Sequence, residues 1–126
     1  MQSRHRSLNR YPKQLARSFG SGSERLFVTN GKDGSFATAN HTCIQTRGYV
    51  PTPDNEAENN ALAKVLQRHN KAAFLGHVSS GYSNWAPQEP TSAKGAKNCV
   101  KMDTDGKWRS ASCEEQLLTT CEFFVV

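Results

Sequence analysis

The 126-residue sequence has no apolar run near the roughly 20 residues that a membrane-spanning helix requires, so no membrane span is expected. It has neither a Gly-x-y repeat nor a heptad, so nothing in it encodes a collagen or coiled-coil stalk, and a monomer is the default expectation. C-x-x-C is absent, and His5, His41, His69 and His77 are scattered without metal-ligand spacing, which argues against zinc. No G-x-S-x-G, H-E-x-x-H or P-loop occurs, no Ser/His/Asp order stands out, and no side chain is nominated as catalytic. The expectation is a protein that is not an enzyme. No apolar stretch of the length a secretory leader needs follows the basic N-terminus, so the chain reads as a mature or recombinant form in preference to a cytosolic protein.

Acidic residues are also missing from the first 23 positions. Arg4, Arg6, Arg10, Lys13 and Arg17 lie there alone, and they account for the whole formal net charge of +5. From Glu24 onward the chain carries 11 residues of each sign. The stretch ends in Gly20-Ser21-Gly22-Ser23, so residues 1–23 read as a basic flexible tail or linker and 24–126 as one domain. A polyanion could bind such a tail, although a nucleic-acid partner has little else to support it. Four cysteines, Cys43, Cys99, Cys113 and Cys121, allow three pairings, and two disulfides in an extracellular domain is the expected use. The glycosylation sequon Asn40-His41-Thr42 agrees with secretion.

Pattern predicts an α+β domain. Leu26–Thr29 reads as a strand ending in the turn signal Asn30-Gly31. Ser35 offers an N-cap to a helix with Phe36, Ala39, Cys43 and Ile44 on or near one face, closed by Gly48. Asn55 and Glu58 form a capping-box pattern ahead of a second helix whose buried stripe is Ala61, Leu62, Val65 and Leu66. Short strands follow: 72–76, then a hairpin of 98–102 with 107–108 around Asp105-Gly106, then Leu117–Phe124. The Gly-, Ser- and Pro-rich stretch from Gly76 to Gly95 reads as loop.

The segments Asn84-Trp85-Ala86-Pro87-Gln88-Glu89-Pro90, Asn98-Cys99-Val100-Lys101-Met102, Thr104-Asp105-Gly106-Lys107-Trp108 and Cys121-Glu122-Phe123 resemble the C-type lectin domain. Phe27–Gly31, Thr52–Asn59 and Phe74-Leu75-Gly76 extend the likeness through the amino-terminal half. It is similar to the collectin type, as in lung surfactant lectins and mannose-binding lectin, and to lectin-like snake phospholipase A2 inhibitors. The resemblance implies a fold of two helices packed on short antiparallel sheets with a long irregular loop. It also implies the pairings Cys43–Cys121 and Cys99–Cys113. Between Gly76 and Asn84 the chain is shorter than is usual in the family.

Sugar-binding members hold a calcium ion through a Glu-Pro-Asn triplet, a Glu two residues before the third cysteine, and an Asn-Asp pair after a Trp. This chain keeps Glu89-Pro90, but Thr91 replaces the Asn, Lys97 the second Glu, and Arg109-Ser110 the Asn-Asp pair. Calcium wants six to eight hard oxygen ligands, so no calcium and no calcium-dependent sugar binding are expected at this degraded site. Lys94, Lys97, Lys101, Lys107 and Arg109 gather around it and suggest an anion patch. Trp85 and Trp108 read as core rather than as sugar platforms, and Asp103–Gly106 as a hairpin turn rather than an EF-hand. The resulting expectation is a secreted recognition module of collectin type for innate recognition of glycans or of anionic lipid and polysaccharide surfaces. The alternative is a protein-binding inhibitor of a secreted phospholipase.

Overall fold

The computed structural model describes residues 16–20, 23–76, 81–91 and 98–125. Residues 1–15 of the tail, 77–80 of the shortened loop, and Lys94 and Lys97 lie outside the described residues. The elements are β1 (Ala16–Gly20), β2 (Ser23–Gly34), α1 (Phe36–Gln45), α2 (Glu56–His69), β3 (Ala73–Leu75), β4 (Cys99–Met102), β5 (Trp108–Ala111) and β6 (Leu117–Val125). They build two three-stranded antiparallel sheets, β1-β2-β6 and β3-β4-β5, which makes the domain α+β as the pattern predicts.

Two boundaries differ from the reading of the sequence. Ala16–Gly20, placed there in the tail, pairs with β2 from Ala16 opposite Phe27 to Gly20 opposite Ser23. Gly-Ser composition signals a flexible linker, yet it also suits the ends of a tight hairpin. β2 also runs past Asn30-Gly31. The register steps from Thr29 opposite Thr120 to Asp33 opposite Leu118, so three residues of β2 face one of β6. Gly31 takes φ +77°, and Asn30 Oδ1 accepts from the Lys32 amide at 2.9 Å. The turn signal therefore makes a bulge inside the strand rather than its end.

Both helices start where their caps place them. Ser35 Oγ accepts from the Thr38 amide, and Asn55 Oδ1 from the Glu58 amide at 2.9 Å. Glu58 reaches back to the amide of Asp54 at 2.8 Å, one residue earlier than a capping box would have it. Ala61, Leu62, Val65 and Leu66 are buried as predicted. In α1, Ala39 and Cys43 are buried and Phe36 packs edge-on against Phe74, but Ile44 is 59% exposed. Eight residues on from Phe36, it falls ~80° away round the helix.

The end of α1 is a Schellman motif whose left-handed residue is Arg47 (φ 67°), not Gly48. Gly48 N–H donates to Cys43 O at 2.8 Å, and Arg47 N–H to Ile44 O at 3.0 Å. Glycine at 48 answers a different need: a Cβ there would stand 2.6 Å from Phe123 Cε1 and 2.8 Å from Glu122 O. Because the left-handed region penalises a Cβ, Arg47→Gly should stabilise the fold by about 1 kcal/mol. Urea or thermal melts check this, and an unchanged or lower melting temperature counts against it.

The β4–β5 hairpin forms where predicted, but through a three-residue loop. Asp103 N donates to Lys107 O at 3.0 Å, Gly106 N to Asp103 O at 2.9 Å, and Gly106 takes φ +80°. That is a type I turn closed by a left-handed glycine. Trp108 is fully buried among Phe27, Leu62, Leu66, Met102 and Leu118, and its Nε1 donates to Asn59 Oδ1 at 2.8 Å. Trp85 packs edge-on against it at 5.7 Å, so both tryptophans serve the core. A second cluster holds Cys43, Val50, Phe74, Ala111 and Cys121. The disulfides join Cys43 to Cys121 and Cys99 to Cys113, the pairing the resemblance implies.

Candidate functional site

Segment 84–91 is laid along β5 by main-chain bonds. Trp108 N donates to Asn84 O at 2.9 Å, and Ala86 N to Trp108 O at 3.0 Å. Gln88 then takes φ 68°, and the Glu89–Pro90 peptide bond is cis. Glu89 lies against Ser110. Glu89 Oε1 accepts from the Ser110 amide at 3.0 Å and from the Thr91 amide at 3.1 Å. The Thr91 amide also donates to Ser110 Oγ at 2.8 Å. Three of the residues aligned with the family site are thus brought together, but they are latched to one another.

Arg109 turns the other way along the hairpin. Its Nη1 donates to Asp103 Oδ2 at 2.6 Å and its Nη2 to Asp105 Oδ2 at 3.2 Å. The hydrogen bond from Arg109 holds the Asp105 carboxyl below the usual carboxylate range, and Asp105 in turn raises the guanidinium. Lys101 Nζ sits 3.0 Å from Glu115 Oε1. The hairpin thus sets carboxylates beside two cations of the patch that sequence proximity suggested. Lys107, exposed on the loop, is the remaining described member.

Calcium does not fit this donor set. Glu89 supplies a carboxylate whose Oε1 already accepts from main-chain amides, Thr91 and Ser110 supply neutral hydroxyls, and Arg109, in place of a ligand, is turned to Asp103 and Asp105. Among the described residues no group of three or more His, Cys, Asp or Glu side chains could hold a metal ion. One engaged carboxylate and two neutral hydroxyls fall well short of six to eight hard ligands. Calcium up to millimolar concentration should therefore leave the melting temperature unchanged, and a rise of several degrees would overturn this.

A second concave surface escaped the sequence reading. A cleft of about 430 Å³ opens between α1 and β6, walled by Phe36 and Asn40 of α1, Tyr49 and Thr52 of the connection, and Glu122 and Phe124 of β6. Tyr49 and Glu122 exchange main-chain hydrogen bonds at 3.0 and 2.7 Å, which fixes the wall. Tyr49 and Phe124 meet edge-on at 6.1 Å and are 57% and 52% exposed. Beneath them the buried Glu122 carboxylate accepts from the Thr52 amide and hydroxyl at 3.0 and 3.2 Å. Arg25 shares its guanidinium among Glu122, Glu58 and Asp54. The signal that could have found this surface is two aromatics, Tyr49 and Phe124, at positions where strand or helix periodicity gives them no core to fill. Asn40, the sequon asparagine, is exposed on α1 at its edge.

Two helices on paired small antiparallel sheets, closed by one long-range and one hairpin disulfide, define a C-type lectin-like domain. The chain belongs to that family: the description Lectin C-type domain matches residues 32–123. It is similar to the "Phospholipase A2 inhibitor alpha-like protein" of Elaphe climacophora, 55% identical over 109 residues, covering 86% of this chain and 65% of that protein. It is likewise similar to "Phospholipase A2 inhibitor BjussuMIP" of Bothrops jararacussu, 52% identical over 112 residues, covering 88% of this chain and 73% of that protein. The chain therefore spans about two thirds to three quarters of these relatives' lengths. Among solved structures, the cow C-type carbohydrate-recognition domain of CD23 superposes with a TM-score of 0.71 at 22% identity, covering 88% of this chain and 95% of that one.

Proposed function

We propose that this domain is a secreted, non-enzymatic, protein-binding module that inhibits a phospholipase A2. The observation that carries the reading is the latch of Glu89, Thr91 and Ser110, which satisfies within the domain the groups that sugar-binding relatives turn toward calcium. A lectin-like domain without that ion is left with surface complementarity as its means of recognition. Relatives sharing half of its residues are named as phospholipase A2 inhibitors, which supports the protein partner over a glycan.

The collectin-type reading, recognition of glycans or anionic lipid surfaces, draws on the anion patch. Among the described residues that patch is reduced to Lys107, because Lys101 and Arg109 hold carboxylates. Of the cations of the Arg-rich tail, Arg4, Arg6, Arg10 and Lys13 lie outside the described residues, and Arg17 lies in β1.

The test is titration of a secreted phospholipase A2 with the protein, following hydrolysis and, separately, complex formation by calorimetry. The expected result is a linear loss of hydrolysis ending at a fixed molar ratio. Full hydrolysis at molar excess, with no heat of binding, would overturn the proposal.

A further inference from the structure

We infer that the cleft between α1 and β6 is the docking surface for that phospholipase, and that it receives a lysine or arginine side chain flanked by apolar residues. This rests on the phospholipase reading and names the surface that would serve it.

Three observations converge on the cleft. The first is exposure. Among the described residues, the large hydrophobics left exposed are Ile44, Tyr49 and Phe124, and two of these pack against each other on this wall. Aromatics presented together at the rim of a concavity are the kind of anchor that dominates protein interfaces. The second is closure of the alternative. The face where relatives coordinate calcium is occupied by its own hydrogen bonds, so a partner has no ion to share there.

The third is charge. Glu122, which lines the cleft, shares the single guanidinium of Arg25 with Glu58 and Asp54, so three carboxylates meet one cation behind the aromatic rim. β-strand alternation puts the side chains of Glu122 and Phe124 on the same face of β6. Arg25 already lies 4.7 Å from the Phe124 ring centroid, which shows that this ring accepts a cation on one side. An anionic floor with electron-rich aromatic walls selects a cation carried on an apolar stem. It rejects an acidic loop, and it gives a purely apolar one no use for the floor.

The experiment measures Kd for a secreted phospholipase A2 by calorimetry with four variants. Tyr49→Phe should bind within about twofold of the wild type. Tyr49→Ala should bind about tenfold or more weakly, since a central aromatic anchor carries energy of that order. Tyr49→Lys should be weaker again by about tenfold, because it sets a like charge against the incoming cation. Lys107→Ala, on the β4–β5 loop, should bind as the wild type does. All four should melt with the wild type, because each replaced side chain is exposed.

If the wild type binds and Tyr49→Ala binds equally well, the docking site is overturned while the inhibitor reading stands. Tyr49→Lys binding no worse than Tyr49→Ala would overturn the cationic partner. If the wild type itself does not bind, the inhibitor reading fails and this inference fails with it.

Discussion

Arg25→Met is expected to lower folding stability by about 3–5 kcal/mol, the cost of leaving buried charge without its partner. The guanidinium joins four parts of the domain. From β2, its Nη1 donates to Thr52 O at 2.9 Å and lies 3.3 Å from Glu58 Oε1 on α2 and 3.4 Å from Glu122 Oε2 on β6. Its Nη2 donates to Asp54 Oδ2 at 2.7 Å, ahead of α2. Glu58 and Glu122 are fully buried, so no solvent stands ready to replace the cation. Methionine keeps most of the apolar stem, and the loss then reads charge rather than volume.

Burial already pushes the Glu122 carboxyl above its ordinary range, against the pull of Thr52 and Arg25. Its neutral form is therefore tolerated, and Arg25→Met/Glu122→Gln should recover about 1–2 kcal/mol of the single-variant loss. The pH dependence has a defined sign. A carboxyl with a raised folded pKa contributes stability that is fully present below its unfolded value of about 4.3 and is lost as pH rises through the folded value. The deficit of Arg25→Met should therefore narrow as pH falls from 7 toward 5. Asp105 runs the opposite way: held low mainly by Arg109, its contribution is present above the unfolded pKa and lost as pH falls. Urea melts at both pH values separate the two: the Arg25→Met deficit should narrow, while that of Arg109→Gln should stay constant, because Asp105 loses its contribution only below its unfolded value of about 3.9. A deficit of Arg25→Met under 1 kcal/mol at pH 7, or one that widens on acidification, would sink the account.

Nothing in a linear reading points to Arg25, and the reason is physical. Local signals report groups within a turn of each other, and those were legible: the caps Ser35 and Asn55, the stripe from Ala61 to Leu66, and the hairpin around Gly106. Arg25 is defined by carboxylates 29, 33 and 97 residues away, which no local pattern encodes. The anion patch shows the same effect in reverse. Lys101 and Arg109 look unpaired along the chain until the hairpin brings Glu115 and Asp103 beside them. Asn30-Gly31 reads along the chain as a turn that ends the strand, but whether such a pair ends a strand or bulges within it depends on β6 across the sheet. The family motifs carried further than periodicity did, because they encode long-range pairing such as that of Cys43 with Cys121. The aromatic cleft lies outside them, assembled from α1, the connection after it and the last strand.

Removing the Cys43–Cys121 bridge should cost more than removing Cys99–Cys113, and the difference follows from the span each one closes. The first joins residues 78 apart and the second residues 14 apart. In the chain-entropy model these closures are worth about 4.5 and 3 kcal/mol respectively. The contrast should be enlarged by packing, because Cys43 and Cys121 both lie in the second core cluster and tie α1 to β6 behind the aromatic cleft. Cys43→Ala/Cys121→Ala should accordingly weaken phospholipase binding as well as lower the urea midpoint. Cys99 and Cys113 clamp β4 and the turn after β5, on the side of the Glu89–Ser110 latch. Their removal should lower stability by the smaller amount and leave binding at the cleft within about twofold of wild type. A larger loss of binding from the second pair than from the first would place the docking surface on the β4–β5 face and return the family's usual site to contention.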